Sequence, residues 1–468
     1  MSLPDEPLFS PEEWQACLKV LQVLSRNPEA APDTFQLKGL VTKLHKQARK
    51  SIRKQNVQEQ HAADRLVKES TLLVQKETPL IPAQPVLSAP SPKYFTARTF
   101  ALLQPTRCYV CKQLYREVHF FYHLLCPDCA QLNFERRRQR MNLTGRIALL
   151  TGGRIKIGYE TSLKMLRDGA KVIITTRFPK EAASRYAAET DFSDWKDRLQ
   201  IYQLDLRNIP AVEAFIEHLQ ATLPHLDILI NNAAQTIRRP PDFYRHLQDI
   251  ESVPVQQLPV VQQQILAAAP PPSALPKPAM LQTSLPHDPA FPVGQYDRFG
   301  QQADLRSLNS WRLGLEQVDT VELLEVQLIN SIAPFLLNGK LKPLLQRSPF
   351  PRRFIINVSA MEGQFNRASK THFHPHTNMA KAALNMMTRT AAMEYAQWGI
   401  YMNSVDTGWI TDEDPHPKKM RKRSYGFVPP LDEIDGAARV YDPVVQGLLH
   451  ETTPVFGHFL KDYHPHAW

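Results

Sequence analysis

The sequence predicts an α/β fold, a doubly wound parallel sheet covered by helices, preceded by a helical region and a compact cysteine module. Three observations carry this expectation. From Arg146 onward, short β-branched or aliphatic runs alternate with amphipathic stretches, the rhythm of strands buried on both faces and crossed over by helices. Upstream, four of the five cysteines form two CxxC pairs. The chain also holds 39 prolines against 17 glycines, and the excess is local: five prolines fall in 79–92 and twelve in 240–292, which marks two segments outside any core.

In chain order, residues 10–26 and 34–77 read as helices. Ser10-Pro11 resembles a cap followed by Pro in the first turn, and Leu37, Leu40, Val41, Leu44 and Ile52 face away from Lys43, Lys46, Arg49, Lys50, Arg53 and Lys54. Residues 1–78 are thus expected to be helical and basic, 79–106 a Pro-rich linker, 107–141 the cysteine module with its Arg-rich tail, and 142–468 the α/β domain. Within that domain, strands are expected at 147–150, 171–176, 199–206, 226–230, 354–358 and 400–405, with helices at 159–168, 211–223, 321–337 and 379–397. Residues 239–308 show little regular pattern and read as an insertion over the sheet edge or the mouth of a site.

The net charge of +10 is uneven, because residues 1–140 hold 21 Lys and Arg against 13 Asp and Glu. The basic region is a candidate surface for an acidic or protein partner, and a solvated helix face is the simpler reading. The N-terminus is acidic, with no basic segment leading into an apolar one, so no secretory signal is expected. Uninterrupted apolar runs fall far short of the roughly 18 residues of a membrane span. No membrane association and a cytoplasmic location are expected.

Cys108, Cys111, Cys126 and Cys129 make CxxC, fourteen residues, then CxxC. Each pair turns two thiolates toward one point, and two pairs complete a tetrahedron, so a structural zinc ion without an open coordination position is expected. His119 and His123 lie between the pairs as alternative ligands, and a pair of disulfides is the other reading. The fifth, Cys17, is expected to be a small buried hydrophobe. Arg107, Lys112, Arg116 and Arg136–Arg140 would suit phosphates, and Tyr109, Tyr115, Phe120, Phe121 and Tyr122 either stack on bases or form a core around the metal. Nucleic acid is the less favoured partner.

The segment Thr151-Gly152-Gly153-Arg154-Ile155-Lys156-Ile157-Gly158 joins a strand to a helix, where glycines admit a pyrophosphate close to the backbone and the helix N-terminus favours its charge. From here the sequence resembles the short-chain dehydrogenase/reductase family, over roughly 142–468 without the insertion. The family's TGxxxGxG is present with Lys156 in place of the middle glycine; its NNAG reads Asn231-Asn232-Ala233-Ala234; Asp205-Leu206 matches the pair near the adenine. Asn330 and Ser359 match the helix asparagine and the catalytic serine, and Val405-Asp406-Thr407-Gly408 matches the Pro-Gly loop with Thr407 for Pro. The resemblance implies a Rossmann-type sheet and a dinucleotide held by Gly152, Arg154, Lys156, Ile157, Gly158, Arg177, Asp205, Leu206, Asn232, Ala233, Lys381, Thr407 and Gly408. The second strand ends Thr175-Thr176-Arg177 without the acid that would bind ribose hydroxyls, so NADP(H) is expected over NAD(H), with Arg177, helped by Arg154 or Lys156, on the 2′-phosphate.

The family's YxxxK is broken. Lys381 is present, but Thr377 stands four residues before it, and no tyrosine lies between Ser359 and Lys381. A threonine hydroxyl is a far weaker acid than a phenol of pKa about 10. His376 or a water chain from Lys381 is the candidate proton carrier, and His374-Pro375-His376 alternatively shapes and caps the helix. Within the resemblance, Lys381 holds the nicotinamide ribose, Ser359 bonds the substrate carbonyl and Asn330 positions a relay water. The basic run 418–423 falls in the family's substrate lid and reads as a mobile loop. Expected is an NADP(H)-dependent oxidoreductase of a small-molecule carbonyl or alcohol, with homo-oligomerisation through helices near 322–338 and 378–397. The alternatives are a coenzyme-binding pseudoenzyme that uses the zinc module to recruit a partner, and a nucleic-acid-associated scaffold.

Overall fold

The computed structural model describes residues 9–77, 100–267, 288–366 and 370–468. The expected linker prolines at 79–92 lie outside the described residues. The chain divides into two compact units, Met1–Val67 with Leu102–Gln104, and Lys68–Ala101 with Pro105–Trp468.

The smaller unit holds α1 (Pro11–Arg26) and most of α2 (Thr34–Glu69). At the start of α1, Ser10 Oγ accepts from Glu13 N (3.2 Å) and Glu13 Oε2 accepts from Ser10 N (2.8 Å), with Pro11 in the first turn. This reciprocal cap satisfies two otherwise orphaned donors. No residue of α1 is buried, and Cys17 is exposed, contrary to expectation, because the helix has no covered face for it to enter.

The helix expected over 34–77 is broken in two. Thr71 turns its backbone N–H and hydroxyl back onto Lys68 O, and α3 (Leu72–Glu77) then buries Leu73 and Val74. The cysteine module is a hairpin, β1 (Phe100–Arg107) antiparallel to β2 (Leu114–Val118), followed by α4 (Pro127–Arg138). Its first strand begins at Phe100, within the stretch expected to be linker.

The α/β domain runs β3 (Ile147–Thr151), α5 (Lys156–Arg167), β4 (Lys171–Thr176), α6 (Pro179–Ala187), α7 (Phe192–Trp195), β5 (Leu199–Gln203), α8 (Ile209–Thr222) and β6 (Ile228–Asn231). The insertion adds α9 (Arg245–Ser252) and α10 (Val260–Ile265). Then come α11 (Thr320–Gln327), a single π turn, α12 (Ala333–Lys340), α13 (Lys342–Gln346), β7 (Arg353–Ser359), α14 (Pro375–Ala396), β8 (Ile400–Asp406), α15 (His416–Ser424), α16 (Glu433–Leu449), β9 (Phe459–Lys461) and β10 (His464–His466). The sheet order is β10-β9-β8-β7-β6-β3-β4-β5, parallel throughout except for the C-terminal β9–β10 hairpin.

Both faces of the sheet are apolar, and residues alternate between them with period two. Ala148, Leu150, Val172, Ile174 and Ile356 pack with Leu163 of α5 and Tyr441 and Val444 of α16. Ile147, Leu149, Ile173, Leu229 and Ile355 pack on the other side with Phe215 of α8 and Leu337 of α12. Each such side chain contributes ~1.5–3 kcal/mol on burial. With apolar residues on both faces, hydrophobicity alone does not set the register of neighbouring strands. Buried amides do so here. Asn231 Nδ2 donates to Asn338 Oδ1 (2.7 Å) and Asn357 Oδ1 (2.8 Å), Asn357 Nδ2 donates to Thr388 Oγ1 (2.9 Å), and Ser404 Oγ donates to the same hydroxyl (2.9 Å). A slipped register would strand these groups at ~1–3 kcal/mol each. The network seats α12 and α14 against the C-terminal ends of β6, β7 and β8.

The insertion over 239–308, whose sequence showed little regular pattern, carries short helices beside the sheet edge: α9 and α10 pack on α6, and Leu266 bridges to Ile201 of the edge strand β5, while 268–287 lie outside the described residues. Its helical turns follow prolines at 240–241, 254 and 259, which start short helices instead of preventing them. The run 418–423, expected as a mobile loop, is helix α15, in which Lys422 pairs with Asp412 (3.0 Å) and Asp414 (2.5 Å), and Lys418 with Asp414 (3.5 Å). Among the described residues, Thr320–Lys340 is long and apolar enough by composition to cross a membrane. Here that stretch carries Ala333 and Leu337 into the core beside Phe215.

Candidate functional site

The turn between β3 and α5 sits where the sheet order reverses, with β4 on one side of β3 and β6 on the other. Crevices at the carboxyl ends of strands open at such points. A Cβ on Gly158 would lie 2.2 Å from Gly152 O and 2.5 Å from Asn232 Nδ2, so the helix can approach the loop only without a side chain there. Gly152 has φ +74°, in the left-handed region. Lys156 also has positive φ (54°), which a residue with a Cβ adopts at a cost of ~1–2 kcal/mol. Asn232 Nδ2 donates to Thr151 O (3.0 Å) and Gly152 O (3.1 Å). Asn232 therefore braces the loop, while Ala233 lines the crevice beside it.

The resulting cleft, about 400 Å³, is lined by Gly152, Arg154, Lys156, Ile157, Gly158, Arg177, Asp205 and Leu206. The insertion closes one side with Arg239, Phe243 and Tyr244. Its cations are not equivalent. Arg154 is buried and paired with Glu181 (2.9 Å), whose other oxygen holds Arg185 (2.5 Å), so its charge is already neutralised. Arg177 lies over the rings of Tyr244 (4.6 Å) and Phe178 (5.3 Å) at the end of β4. Burial works to raise the Asp205 pKa, but Arg207, bonded at 2.6 Å, and the nearby Arg177 outweigh it and hold the carboxyl below its usual range.

Lys156, Ile157, Asn232 and Glu413 also line a second cavity of about 540 Å³, so the two form one groove along the strand ends. Ser359, Thr377, Lys381, Asp406, Thr407 and Gly408 line this second part. Thr377, Lys381 and Asn385 recur every four residues and share one face of α14. Lys381 Nζ donates to Val358 O (2.8 Å), and burial pushes its pKa down to about 8. The Thr377 hydroxyl is buried and has no hydrogen-bond partner among the described residues.

Two candidate residues are placed differently from expectation. Ser359 Oγ donates to Asn385 Oδ1 (2.6 Å), which commits its proton, so it faces the cavity as an acceptor and not as a donor to a carbonyl. His376 does not line either cavity; one position along α14 from Thr377, it points about 100° away and lies 3.4 Å from Glu322. His374 stacks on Trp311 (4.0 Å) in a left-handed backbone conformation at the start of α14, the loop-shaping alternative. Asn330 occupies the π turn Leu328–Ile332, where its amide donates to Gln235 O (3.0 Å) and accepts from Gln235 N (2.7 Å). Its side chain thus anchors the strand exit after Ala234 through both amide atoms.

The four cysteine sulfurs lie within 4.8 Å of one another, and none is in a disulfide. A tetrahedral zinc with ~2.3 Å bonds needs sulfurs about 3.8 Å apart, so the group fits such an ion. The histidines are engaged elsewhere: His119 Nδ1 accepts from Phe121 N (3.1 Å), and His123 Nε2 lies 3.2 Å from Val428 O. Three of the arginines expected to suit phosphates are paired with carboxylates instead. Arg137 pairs with Asp432 and Asp435, Arg136 with Asp442 (3.1 Å) and Arg140 with Asp168, all carboxylates of the α/β domain. Tyr115 and Tyr122 are buried, so they cannot stack on bases.

Sequence reasoning missed that the module reaches the groove. Tyr109, between Cys108 and Cys111, lines the second cavity, and its phenol oxygen accepts from Trp409 N (2.9 Å). No local pattern announces this contact across 300 positions of chain. Asn385 was also missed, though its four-residue spacing from Lys381 was a usable signal.

Two family models match the sequence, short chain dehydrogenase over residues 146–254 and Enoyl-(Acyl carrier protein) reductase over 312–424, leaving most of the insertion between them. An uncharacterized protein of Acanthamoeba polyphaga mimivirus, R665, is 34% identical over 351 residues, 72% of this chain and 71% of that protein. The (+)-neomenthol dehydrogenase of Capsicum annuum is 35% identical over 91 residues, which span 19% of this chain and 28% of that enzyme. The solved Pseudomonas aeruginosa RhlG/NADP active-site complex aligns at 20% identity over 68% of this chain and 95% of that one, with a TM-score of 0.43. With its glycine loop, its Asn-Asn-Ala turn and the serine and lysine at the strand ends, the chain belongs to the short-chain dehydrogenase family.

Proposed function

We propose that the protein is an NADP(H)-dependent oxidoreductase acting on a small-molecule carbonyl or alcohol. One observation carries the reading: the glycine-loop cleft runs without interruption into a cavity that holds a buried lysine and a hydroxyl without a partner among the described residues, Thr377, where family members carry a tyrosine. The coenzyme would supply or accept the hydride. Lys381, fixed to Val358 O, would hold its ribose, and Thr377 would donate a hydrogen bond to the substrate oxygen. Arg177, stacked and facing the cleft, suits a 2′-phosphate; the acid that would favour NAD(H) is missing at Thr175-Thr176. A zinc ion on Cys108, Cys111, Cys126 and Cys129 would hold the module structurally. Reduced thiolates suit a reducing compartment such as the cytoplasm. Met379, Met386 and Met393 recur every seven residues as an exposed stripe on α14, which suits a second copy of the chain. Sedimentation of Met386→Glu as a monomer beside a dimeric parent would test that contact.

The second reading, a coenzyme-binding pseudoenzyme, draws on Ser359, whose proton is held by Asn385. The experiment that separates them is titration with NADPH and NADH, followed by steady-state reduction of a panel of ketones, aldehydes and quinones. Tight NADPH binding with turnover supports the oxidoreductase. Tight binding without turnover supports the pseudoenzyme, and preference for NADH refutes the coenzyme assignment.

A further inference from the structure

We propose that Asp406 is the catalytic acid/base of this site, exchanging the proton with the substrate oxygen that the missing tyrosine would have exchanged. The inference rests on the oxidoreductase reading above and assigns the proton to a residue outside the family's signature.

The placement follows from the sheet. β7 and β8 are parallel and in register, with Ser359 opposite Asp406 as the last pair. Partners in register project from the same face, and neighbouring strands lie about 4.8 Å apart. Both side chains line the same cavity, as do Lys381 and Thr377. Asp406 is therefore one strand away from the serine that marks the reacting centre. It is 6% exposed, and Oδ1 accepts from Met361 N (3.2 Å) at the turn after β7, which fixes the carboxyl in orientation.

Its electrostatic surroundings keep a proton within reach of neutral pH. Burial is the largest influence and raises the pKa; Lys461 opposes it, Asp462 and Glu362 add to it, and Arg439 of α16 opposes it, leaving the carboxyl at about 6. Lys381 of α14 and the phenol of Tyr109 face the same cavity. An ordinary aspartic acid, at about 3.9, would be ionised and useless as a donor at such a pH. The competing groups are less suited: Ser359 donates its proton to Asn385, His376 lies outside the cavity against Glu322, and the Tyr109 phenol, which accepts from Trp409 N, is made a weaker acid by burial and by the nearby Asp406 and Asp462.

In the reductive direction, a bound reduced nicotinamide would supply the hydride for the new C–H bond as the carbonyl π bond breaks. Asp406 gives its proton to the oxygen, to which Thr377 donates a hydrogen bond. The substrate gains two electrons and two hydrogens, the coenzyme is oxidised by two electrons, and the Asp406 carboxylate regains a proton from solvent.

The test is the pH dependence of kcat for NADPH-driven carbonyl reduction by the full chain, in the parent, D406N and D406N with Thr377→Tyr. The parent should lose about tenfold in kcat per pH unit above a break near pH 6, since the acid must be protonated. D406N, which keeps an acceptor for Met361 N, should lose roughly 100- to 10,000-fold in kcat with NADPH affinity unchanged and the break gone. Tyrosine at 377 should restore part of the rate with a new pH profile. Undiminished turnover in D406N overturns the assignment of Asp406 and leaves the oxidoreductase reading standing. Should D406N fail to fold, the parent alone decides, because a pH-independent kcat through that range overturns the assignment. A parent that binds NADPH but reduces no carbonyl overturns the oxidoreductase reading and this inference with it.

Discussion

Gly158→Ala isolates the coenzyme loop from the rest of the site. The residue is helical, so the backbone accepts alanine, and the whole effect comes from space. The new Cβ would fall 2.2 Å from Gly152 O and 3.0 Å from Gly152 C, both backbone atoms, and 2.5 Å from Asn232 Nδ2. An ordinary carbon–oxygen contact is about 1 Å longer than the first of these. Relief requires the loop to move away from α5, which stretches the Asn232 Nδ2 bond to Gly152 O, now 3.1 Å. Overpacking of this kind costs ~1–3 kcal/mol, and a weakened hydrogen bond adds about 1 kcal/mol. If half of a ~3 kcal/mol displacement appears in coenzyme binding, Kd rises roughly tenfold. Urea unfolding reads the stability and quenching of protein fluorescence by NADPH reads the affinity. An alanine variant with parental midpoint and Kd would refute the packing argument, because nothing but contact distance supports it.

The remaining predictions concern charge and metal. Lys381→Met should stabilise the fold at neutral pH while abolishing turnover, since a buried ammonium pushed from 10.5 to about 8 carries a penalty of about 3 kcal/mol. The unfolded chain keeps its proton up to about pH 10.5 and the folded one only to about 8, so the advantage is full below pH 8 and fades across that window; chemical unfolding at pH 7 and 10 checks this. Arg177→Ala should weaken NADPH by roughly 10- to 100-fold and leave NADH nearly unchanged, as a calorimetric titration of both would show. Elemental analysis should find one zinc per chain, and Cys129→Ala should release it and lower the melting temperature. Because Tyr109 bonds Trp409 from within the knuckle, metal loss should also raise KM for substrate more than Kd for coenzyme.

The α/β rhythm was legible because parallel strands such as Lys171–Thr176 and Arg353–Ser359 centre on β-branched and aliphatic residues and are buried along almost their whole length, which a two-sided sheet requires. The cysteine cluster was legible for a similar reason: two CxxC pairs close in the chain bring four sulfurs within 4.8 Å of one another. The insertion was less so, since its prolines begin helices at 241 and 260 as readily as they break them. His376 illustrates a different failure. Its chemistry suited a proton carrier, but helical phase turns it away from the face that carries Thr377 and Lys381.

By itself, the sequence determined the class of sheet, the glycine loop, the clustering of four cysteines and the threonine four residues before Lys381, because each is written in residues close together in the chain. Tertiary structure alone decided which groups surround the reacting centre. Asp406 reaches it through the register of β8 on β7, and Tyr109 through the docking of a module some 250 residues earlier than Ser359. Arg136 and Arg137, which looked free for phosphates, are matched to Asp442 and to Asp432 and Asp435 on α16 and its N-cap. Charge pairing and strand register act between segments remote in sequence, and only the folded chain brings those segments within the few ångströms over which they act.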